Sequence, residues 1–197
     1  MRLILIRHAV TEETGAVLSG RTPGISLSDE GRAMAENLAA ALQRLRPAAV
    51  VTSPIERCKE TAHIVAGRLG QRVRTQRAFI EADYGTWTGR TLRSLRRLKA
   101  WNRLMVSAGR FRFPEGETLQ EVQHRSVAAV ERLAAAHPRG TVIVVSHADV
   151  IRCIPAHYLG MGIDLIDRIH VAPASVSVVM LGPDGPPMVP VVNQQFG

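Results

Sequence analysis

The stretch that decides the fold is LILIRHAVTEE, residues 3–13, in which an unbroken apolar run ends on an arginine and a histidine. Residues 2–6 show no alternation of polar and apolar side chains, which is typical of a strand covered on both faces. Residues 48–52 (AAVVT) and 141–145 (TVIVV) have the same character. We therefore predict three strands in the middle of a mostly parallel sheet.

Patterns typical of amphipathic helices separate these apolar runs. Each begins on a residue that can cap a helix, and the third is predicted to end near Pro138. The predicted starts are Ser28, with Asp29 and Glu30 in the first turn; Ser53, with Pro54 at the first helical position; and Thr118, with Glu121 at capping-box spacing.

Strands that alternate with helices of this length require right-handed crossovers, which cover both faces of the sheet. Residues 174–181 and 187–192, separated by turn residues at 182–185, predict a hairpin at a sheet edge. We therefore predict one α/β domain over residues 1–197. Its architecture is three-layer α/β/α, with a mostly parallel central sheet, a C-terminal edge hairpin and a short inserted helical lid at about residues 86–114.

Composition and charge limit the classes of function. The chain has a net charge of +8 and a pI near 10.9, which suits either nucleic acid or a small anion. Aromatic residues make up only 4% of the chain, which is little material for stacking on bases. We therefore expect a small anionic substrate and no nucleic acid partner.

The location is also suggested by composition. The longest apolar runs are too short to cross a bilayer, and no export signal is recognisable, so we expect no membrane partner and a cytoplasmic protein. Cys58 and Cys153 lie far apart and without metal-ligand spacing, which favours free thiols in a reducing compartment.

The segment from 84 to 114 contains no acidic residue and is rich in cations. Two interpretations remain open, a solvated helix face or a basic lid over an anion site. The cations are Arg90, Arg93, Arg96, Arg97, Lys99, Arg103, Arg110 and Arg112.

Polar side chains follow each of the three predicted central strands. Arg7 and His8 follow the first strand, Arg57 stands shortly after the second, and His147 follows the third. Ligands of open α/β sheets bind beyond the carboxyl ends of the strands, so these four residues are expected to meet there. A cationic pocket of this kind is costly to assemble without an anion to fill it.

A tetrahedral phosphoryl group suits such a pocket, because arginine binds phosphate oxygens with two parallel hydrogen bonds. The sequence contains neither a carboxylate cluster for Mg²⁺ nor a glycine-rich phosphate loop, so we expect no metal ion and no cofactor. Nucleophilic catalysis by a histidine remains. Neighbouring arginines disfavour the charged imidazole and keep it available as a nucleophile.

Four ordered motifs carry a resemblance to a known family. RHAVTEE (7–13), SPIERCKETA (53–62), EADYGTWTG (81–89) and SHADVIR (146–152) resemble the histidine phosphatase superfamily, also called phosphoglycerate-mutase-like. The resemblance extends over nearly the whole chain. Together with LSGRTPGISLSDEGR (18–32), it is closest to a bacterial subgroup described only as phosphatases or phosphomutases.

The resemblance implies roles for individual residues. His8 would be the phosphorylated nucleophile, and Arg7, Arg57 and His147 would hold the phosphoryl oxygens. Glu81 stands where the family keeps its proton donor, which would protonate the leaving oxygen and then help to activate water.

Other positions match family residues that touch the substrate, with three departures from the family pattern. Ala9 and Ala148 replace glycines, and the asparagine that helps to bind the phosphoryl group has no clear equivalent, although Thr14 stands near its place. The matching positions are Ser19, Gly20, Tyr84 and the backbone of Ala148.

The predicted function is a metal-independent phosphomonoester hydrolase that acts through a phosphohistidine on a small phosphorylated metabolite. The alternative is a cofactor-dependent phosphomutase of the phosphoglycerate mutase type. Such mutases carry a longer insertion after the acid, and the short segment here admits water more readily.

The substrate and the oligomeric state stay open. The basic segment suggests an acidic compound, whereas the aromatic residues of the same segment could shape an apolar pocket or simply form the core of the lid. A homodimer through a sheet edge or the lid is compatible with the sequence. The aromatic residues are Trp87, Trp101, Phe111 and Phe113.

Overall fold

A six-stranded mixed sheet forms the centre of the structure, a computed structural model that describes residues 1–182 and 185–196. The strand order is β3-β2-β4-β1-β5-β6. The strands are β1 (Arg2–Arg7), β2 (Ala49–Thr52), β3 (Val73–Thr75), β4 (Thr141–Ser146), β5 (Val176–Met180) and β6 (Met188–Gln194).

The three strands predicted from the apolar runs lie side by side in this sheet. β4 pairs in parallel with both β1 and β2, and β3 pairs in parallel with β2. β5 pairs antiparallel with β1 and β6, which confirms the C-terminal edge hairpin. Pro183 and Asp184, in the predicted turn, lie outside the described residues. The fold class predicted from the sequence is confirmed.

Helices cover both faces of the sheet. α1 and α2 contribute to one apolar core, and α5 and α6 contribute to the other. The helices are α1 (Asp29–Leu42), α2 (Glu56–Leu69), α3 (Leu92–Leu95), α4 (Lys99–Val106), α5 (Leu119–Ala136) and α6 (Ala148–Tyr158).

The central strands are apolar without alternation because both of their faces are buried. In β1, Leu3 and Leu5 belong to the core shared with α5 and α6, whereas Ile4 and Ile6 belong to the core shared with α1 and α2. All four side chains are at most 1% exposed. This double burial makes the strand a rigid support for the residues that follow it.

Two of the predicted helix starts are confirmed. The Ser28 side chain accepts a hydrogen bond from the backbone of Gly31, and Thr118 forms a complete capping box with Glu121. The side chains replace backbone partners that the first turn of a helix lacks.

The predicted start of α2 is wrong. The helix begins at Glu56 and not at Pro54, and the residue before it, Ile55, makes no side-chain cap. The Ser53 hydroxyl accepts a hydrogen bond from the backbone of Ile55 at 3.4 Å and also lies 2.8 Å from Nε2 of His147, a partner far away in sequence.

Residues 86–114, called the lid segment below, contain α3, α4 and short 3₁₀ turns. Trp87 is 2% exposed and packs against Phe111 and Phe113 at ring-centroid distances of 5.4 and 5.6 Å. Trp101 stacks on Trp87 at 6.1 Å. The aromatic residues therefore form a core within the lid segment, one of the two arrangements left open by the sequence.

None of the helices in the described parts of the chain is long and apolar enough to span a membrane.

Candidate active site

The ends of β1, β2 and β4 bring together the residues singled out in the sequence. The rings of His8 and His147 lie 5.3 Å apart between centroids, and Arg57 contacts both of them. Since β4 lies between β1 and β2, the parallel order of the strands places their carboxyl ends next to one another.

The protonation of the His8 ring follows from its contacts. Nδ1 lies 2.8 Å from the carbonyl oxygen of Ala9, which can only accept, so Nδ1 carries the proton. Nε2 is then unprotonated and accepts from Nε of Arg57 at 3.3 Å. Burial, together with the charges of Arg57 and Arg7, lowers the pKa of His8 well below its ordinary value. His8 therefore presents a neutral ring with a lone pair on Nε2.

The guanidinium groups of Arg7 and Arg57 border the same cavity as His8. Nη1 of Arg7 donates to the carbonyl oxygen of Val171 at 2.6 Å, and Nη2 of Arg57 donates to that of Gly20 at 2.7 Å. Across the described chain, Nε of Arg7 and Nη1 of Arg57 meet no acceptor although both are buried. Buried donors without a partner are costly, and an anion in the cavity would satisfy them.

His147 is completely buried, and its pKa is lowered mainly by burial and then by the charge of Arg57. Nη2 of Arg57 can only donate, and it lies 3.2 Å from Nδ1 of the ring. In the neutral ring Nε2 therefore carries the proton and donates to Oγ of Ser53 at 2.8 Å.

The predicted contact from His147 to a phosphoryl oxygen requires the other tautomer, with the proton on Nδ1. The Ser53 hydroxyl permits this change because it can donate to Nε2 as well as accept from it. Sequence reasoning placed Ser53 at the end of the second strand and at a helix start but missed this contact, which joins residues 94 positions apart.

The Cys58 thiol also approaches the His147 ring, at 3.3 Å from Nε2. Burial raises the pKa of this thiol far above its ordinary value, so it stays protonated.

Glu81 is 6% exposed and lies with Oε2 4.0 Å from Nδ1 of His147. Its Oε1 accepts from the backbone of Ala82 at 2.9 Å. Burial, and then the negative charge of Asp149, raise the pKa of Glu81 to about 7. A carboxyl group with this pKa is present in both protonation states near neutral pH, as a group that donates and later accepts a proton requires.

Two arginines hold the backbone at Glu81 in place. Nε of Arg21 and Nη2 of Arg125 donate to the carbonyl oxygen of Glu81 at 2.9 and 3.2 Å. Both arginines also form ion pairs with Glu117, at 2.8 and 3.1 Å. Glu81 follows no regular strand, so these bonds replace the rigidity that β1 and β4 give to the two histidines.

The predicted substrate-binding residues Thr14 and Ser19 border the same cavity as His8. Oγ1 of Thr14 accepts from the backbone of Thr11 at 2.8 Å and lies 3.1 Å from the Thr11 hydroxyl. Ser19 donates to Oε2 of Glu13 at 2.6 Å. Glu13, which the sequence did not single out, thus fixes the orientation of Ser19.

Gly20, Tyr84 and Ala148 border the cavity as well. Gly20 has a φ of +49°, and a Cβ at this position would stand 2.9 Å from Cδ2 of Tyr84. The Tyr84 hydroxyl donates to Oδ2 of Asp149 at 2.7 Å. Ala148 begins α6, whose first backbone N–H groups are available to an anion. Nine of the ten predicted site residues therefore border one cavity, and the tenth, His147, is buried and contacts Arg57.

The cavity has a volume of about 450 Å³. Among the eight cations described in the lid segment, Arg96 borders this cavity, whereas Arg103, Arg110 and Arg112 border a separate one of about 610 Å³. Arg112 is also paired with Glu121 at 2.7 Å. The cations of the lid segment therefore do not line the His8 cavity as a group.

Within residues 1–182 and 185–196, no three His, Cys, Asp or Glu side chains form a cluster that could hold a metal ion.

The fold and the site define an α/β protein whose parallel strands present a neutral histidine and two arginines to one cavity. The sequence pattern of the histidine phosphatase superfamily (branch 1) matches residues 3–194. The chain belongs to this superfamily, whose members include phosphatases and phosphomutases that share a phosphohistidine mechanism.

Two individual proteins are similar to this chain over most of its length. A bifunctional protein of Mycobacterium tuberculosis is 32% identical over 197 residues, with 98% of this chain and 54% of that protein covered. The chain thus spans about half the length of that relative. Phosphoserine phosphatase 1 of Hydrogenobacter thermophilus is 29% identical, with 91% of this chain and 86% of that protein covered.

Solved structures agree with these matches. A mycobacterial glucosyl-3-phosphoglycerate phosphatase in complex with VO3 superimposes with a TM-score of 0.89 at 25% identity, with 98% of this chain and 99% of that chain covered. Further relatives are named as phosphoglycerate mutases. The comparisons therefore leave the substrate of this chain unspecified.

Proposed function

We propose that the protein is a metal-independent phosphomonoester hydrolase that acts on a small phosphorylated metabolite through a phosphohistidine on His8. The observation that carries this proposal is the pair of buried donors without partners, Nε of Arg7 and Nη1 of Arg57, beside the unprotonated Nε2 of His8. Together they provide a nucleophile and two positive charges for the oxygens of one phosphoryl group.

In the first step Nε2 of His8 attacks phosphorus, and the bond from phosphorus to the ester oxygen breaks. Protonated Glu81 transfers its proton to that oxygen, which leaves as an alcohol. The pKa of Glu81, raised to about 7, supports this assignment because the acid stays partly protonated near neutral pH. Arg7 and Arg57 stabilise the negative charge on the phosphoryl oxygens as the bonds change.

In the second step water attacks the phosphorus of the phosphohistidine, and the bond from phosphorus to nitrogen breaks. The Glu81 carboxylate accepts a proton from the attacking water, which returns Glu81 to its starting state. Inorganic phosphate leaves, and Nε2 of His8 recovers its lone pair. Neither step uses a group from outside the chain except water.

A phosphomutase of the phosphoglycerate mutase type is the second candidate, since several relatives carry that name. A mutase must return the phosphoryl group to another hydroxyl before water reaches the phosphohistidine. The lid segment here is short, and α3 has only four residues, which favours access of water and therefore hydrolysis.

The test is phosphate release from a chromogenic phosphoester and from a panel of phosphorylated metabolites, in the presence of a chelator. His8→Ala should lower phosphate release by at least about 10³-fold, with an unchanged circular dichroism spectrum. His124→Ala, which replaces an exposed histidine of α5, is the matched control and should retain full activity. Undiminished phosphate release by His8→Ala would exclude the mechanism.

Hydrolase and mutase are distinguished with 3-phosphoglycerate, by following free phosphate and the phosphoglycerate isomers in the same reaction. The hydrolase proposal predicts free phosphate without isomerisation. Isomerisation without release of phosphate would establish the mutase instead.

A further inference from the structure

The cavity changes character beyond the residues that surround His8. Apolar side chains border the rest of the cavity, and we call six of them the apolar wall, five of which come from α3, α4 and the loop that follows. These side chains are Leu18, Leu92, Trp101, Leu104, Met105 and Phe113.

Two members of the apolar wall differ from ordinary core residues in their exposure. Met105 is 43% exposed although it lies on an amphipathic helix with a buried neighbour, Leu104. Trp101 is half-buried, and its ring is held in place by stacking on Trp87, with 22° between the ring planes. An oriented indole and an exposed thioether side chain together present apolar surface to the cavity, and a bound apolar group would remove that surface from water.

The charged residues at this end of the cavity already compensate one another. Nη1 of Arg152 lies 3.3 Å from Oδ1 of Asp149 and 3.1 Å from Oδ1 of Asp167. The other oxygen of Asp149 accepts from Tyr84. Nη1 of Arg152 is thus shared by two carboxylates, whereas its buried Nε meets no acceptor among the described residues. Because one cation stands against two carboxylates, a second anionic group of a substrate would meet net negative charge there.

The remaining cation at this end is Arg96, which is exposed to solvent. An exposed guanidinium is screened by water and salt and contributes little to holding a second anion. Arg7 and Arg57 are used by the phosphoryl group, and the third largely buried cation at the cavity, Arg152, is offset by its two carboxylates.

We propose that the alcohol part of the substrate is uncharged and largely apolar, such as an aromatic or alkyl group, and that it packs against the apolar wall. This inference rests on the proposed function for the position of the phosphoryl group. It adds a substrate class that differs from small phosphorylated acids, which the Asp149–Arg152–Asp167 cluster would repel.

The first test measures binding, so that it does not depend on turnover. Dissociation constants are determined calorimetrically for methylphosphonate, hexylphosphonate and 2-carboxyethylphosphonate, which share the phosphonate group and cannot be hydrolysed. Hexylphosphonate should bind at least about tenfold more tightly than methylphosphonate, because it buries several additional methylene groups. 2-Carboxyethylphosphonate should bind no more tightly than methylphosphonate. Equal binding of all three, or tightest binding of the carboxylate, would overturn the inference.

The second test assigns the effect to the apolar wall. Met105→Glu should lower the preference for hexylphosphonate over methylphosphonate by at least about threefold, because it places a charge beside the alkyl chain. Val106→Glu is the matched control, since Val106 is the next residue of α4, is 80% exposed and borders the other cavity. The Val106→Glu variant should prefer hexylphosphonate over methylphosphonate by the same factor as the unmodified protein. An equal loss of this preference in both variants would show that the apolar wall does not bind the alkyl chain.

Turnover separates this inference from the proposed function. Hexyl phosphate should be hydrolysed with a kcat/KM at least about tenfold above that of ethyl phosphate, two esters whose leaving alcohols have similar reactivity. Preference for hexylphosphonate without turnover of any ester would sustain the apolar substrate site and refute the hydrolase. Rapid turnover that favours phosphoserine or 3-phosphoglycerate would sustain the hydrolase and refute the apolar substrate class.

Discussion

The carboxyl edge of the sheet and the lid segment border the same cavity, but different interactions stabilise them. The edge buries ionisable groups: His147 is 0% exposed, Arg57 is 3% exposed and Glu81 is 6% exposed. The lid segment instead packs aromatic rings, with Trp87 at its centre. Charged groups are buried at the edge, and the cations of the lid segment lie largely outside the cavity.

The difference indicates how chemistry and selectivity are divided between the two regions. Buried charges tolerate little movement, because each lost hydrogen bond leaves a desolvated group without a partner. Strands covered on both faces and the arginine pair at Glu81 provide that rigidity. Apolar packing depends on volume more than on direction, so the lid segment can vary its side chains while the edge is unchanged.

The largest expected effect is that of Glu81→Gln at the edge. The amide cannot transfer a proton, so kcat/KM for an alkyl phosphate should fall by roughly 10²- to 10⁴-fold. The loss should be smaller for an aryl phosphate, whose leaving group needs less protonation. Equal losses with both esters would mean that Glu81 does not act as the acid.

The pH profile of the unmodified protein also tests whether Glu81 acts as the acid. Burial raises the pKa of Glu81 from 4.5 to about 7, so the acid loses its proton as the pH rises through about 7. Hydrolysis of an alkyl phosphate should therefore decline above that pH, and Glu81→Gln should lack this decline. The raised pKa of Glu81 by itself lowers the free energy of unfolding as the pH rises from about 4.5 to 7, since the unfolded chain releases this proton first, whereas the lowered pKa values of His8 and His147 act in the opposite direction. The contribution of Glu81 is therefore measured as the difference in the free energy of unfolding between the unmodified protein and Glu81→Gln over this range.

In the lid segment, Trp87→Ala is expected to lower the stability of the protein. Removing the central ring leaves a cavity among Trp101, Phe111 and Phe113, and the free energy of unfolding should fall by about 3–5 kcal/mol. Denaturant unfolding measures this change. Trp87→Phe is the conservative control and should lose less, because most of the aromatic contact is kept.

Arg57→Met is expected to have the reverse effect of Trp87→Ala, because it should lower activity strongly and stability only slightly. Loss of one guanidinium that stabilises the phosphoryl charge should lower kcat/KM by about 10²- to 10³-fold. The free energy of unfolding should fall by no more than about 1–3 kcal/mol, because the buried carbonyl oxygen of Gly20 loses its donor while a buried cation is replaced by an apolar side chain of similar length. Arg68→Met, at an exposed position of α2, is the control. A large loss of stability would show that Arg57 mainly maintains the fold.

The smallest expected effect is that of Thr14→Val. The hydroxyl accepts from the backbone of Thr11, and loss of one such bond should lower the free energy of unfolding by about 1 kcal/mol. If Thr14 only shapes its turn, KM for phosphoesters should be unchanged. A KM raised by tenfold or more would instead assign it to the phosphoryl site, in place of the family's asparagine.

Much of the fold and site could be predicted because the relevant signals are local in sequence. The apolar runs at 2–6 and 141–145 predicted strands that lie side by side, and residues such as Thr118 predicted the start of α5. The positions of Arg7 and His8 directly after β1 required only the rule that ligands bind at the carboxyl ends of strands.

The contacts that join distant segments could not be predicted in this way. Ser53 was placed at the start of a helix, whereas its hydroxyl contacts His147. The pair of arginines at Glu81, Arg21 and Arg125, lies 60 and 44 residues from the carbonyl it binds. No local spacing indicates such pairs, because their geometry depends on how the loops return to the sheet.

The sequence by itself determined the α/β class, the central strands and the residues that end them, since hydrophobic periodicity and the succession of strands and helices along the chain are local properties of the sequence. Only the tertiary structure decided which nitrogen of the His8 ring carries the proton, the raised pKa of Glu81 and the side of the lid segment that faces the cavity. These properties depend on burial and on partners from several segments, which exist only after the chain has folded.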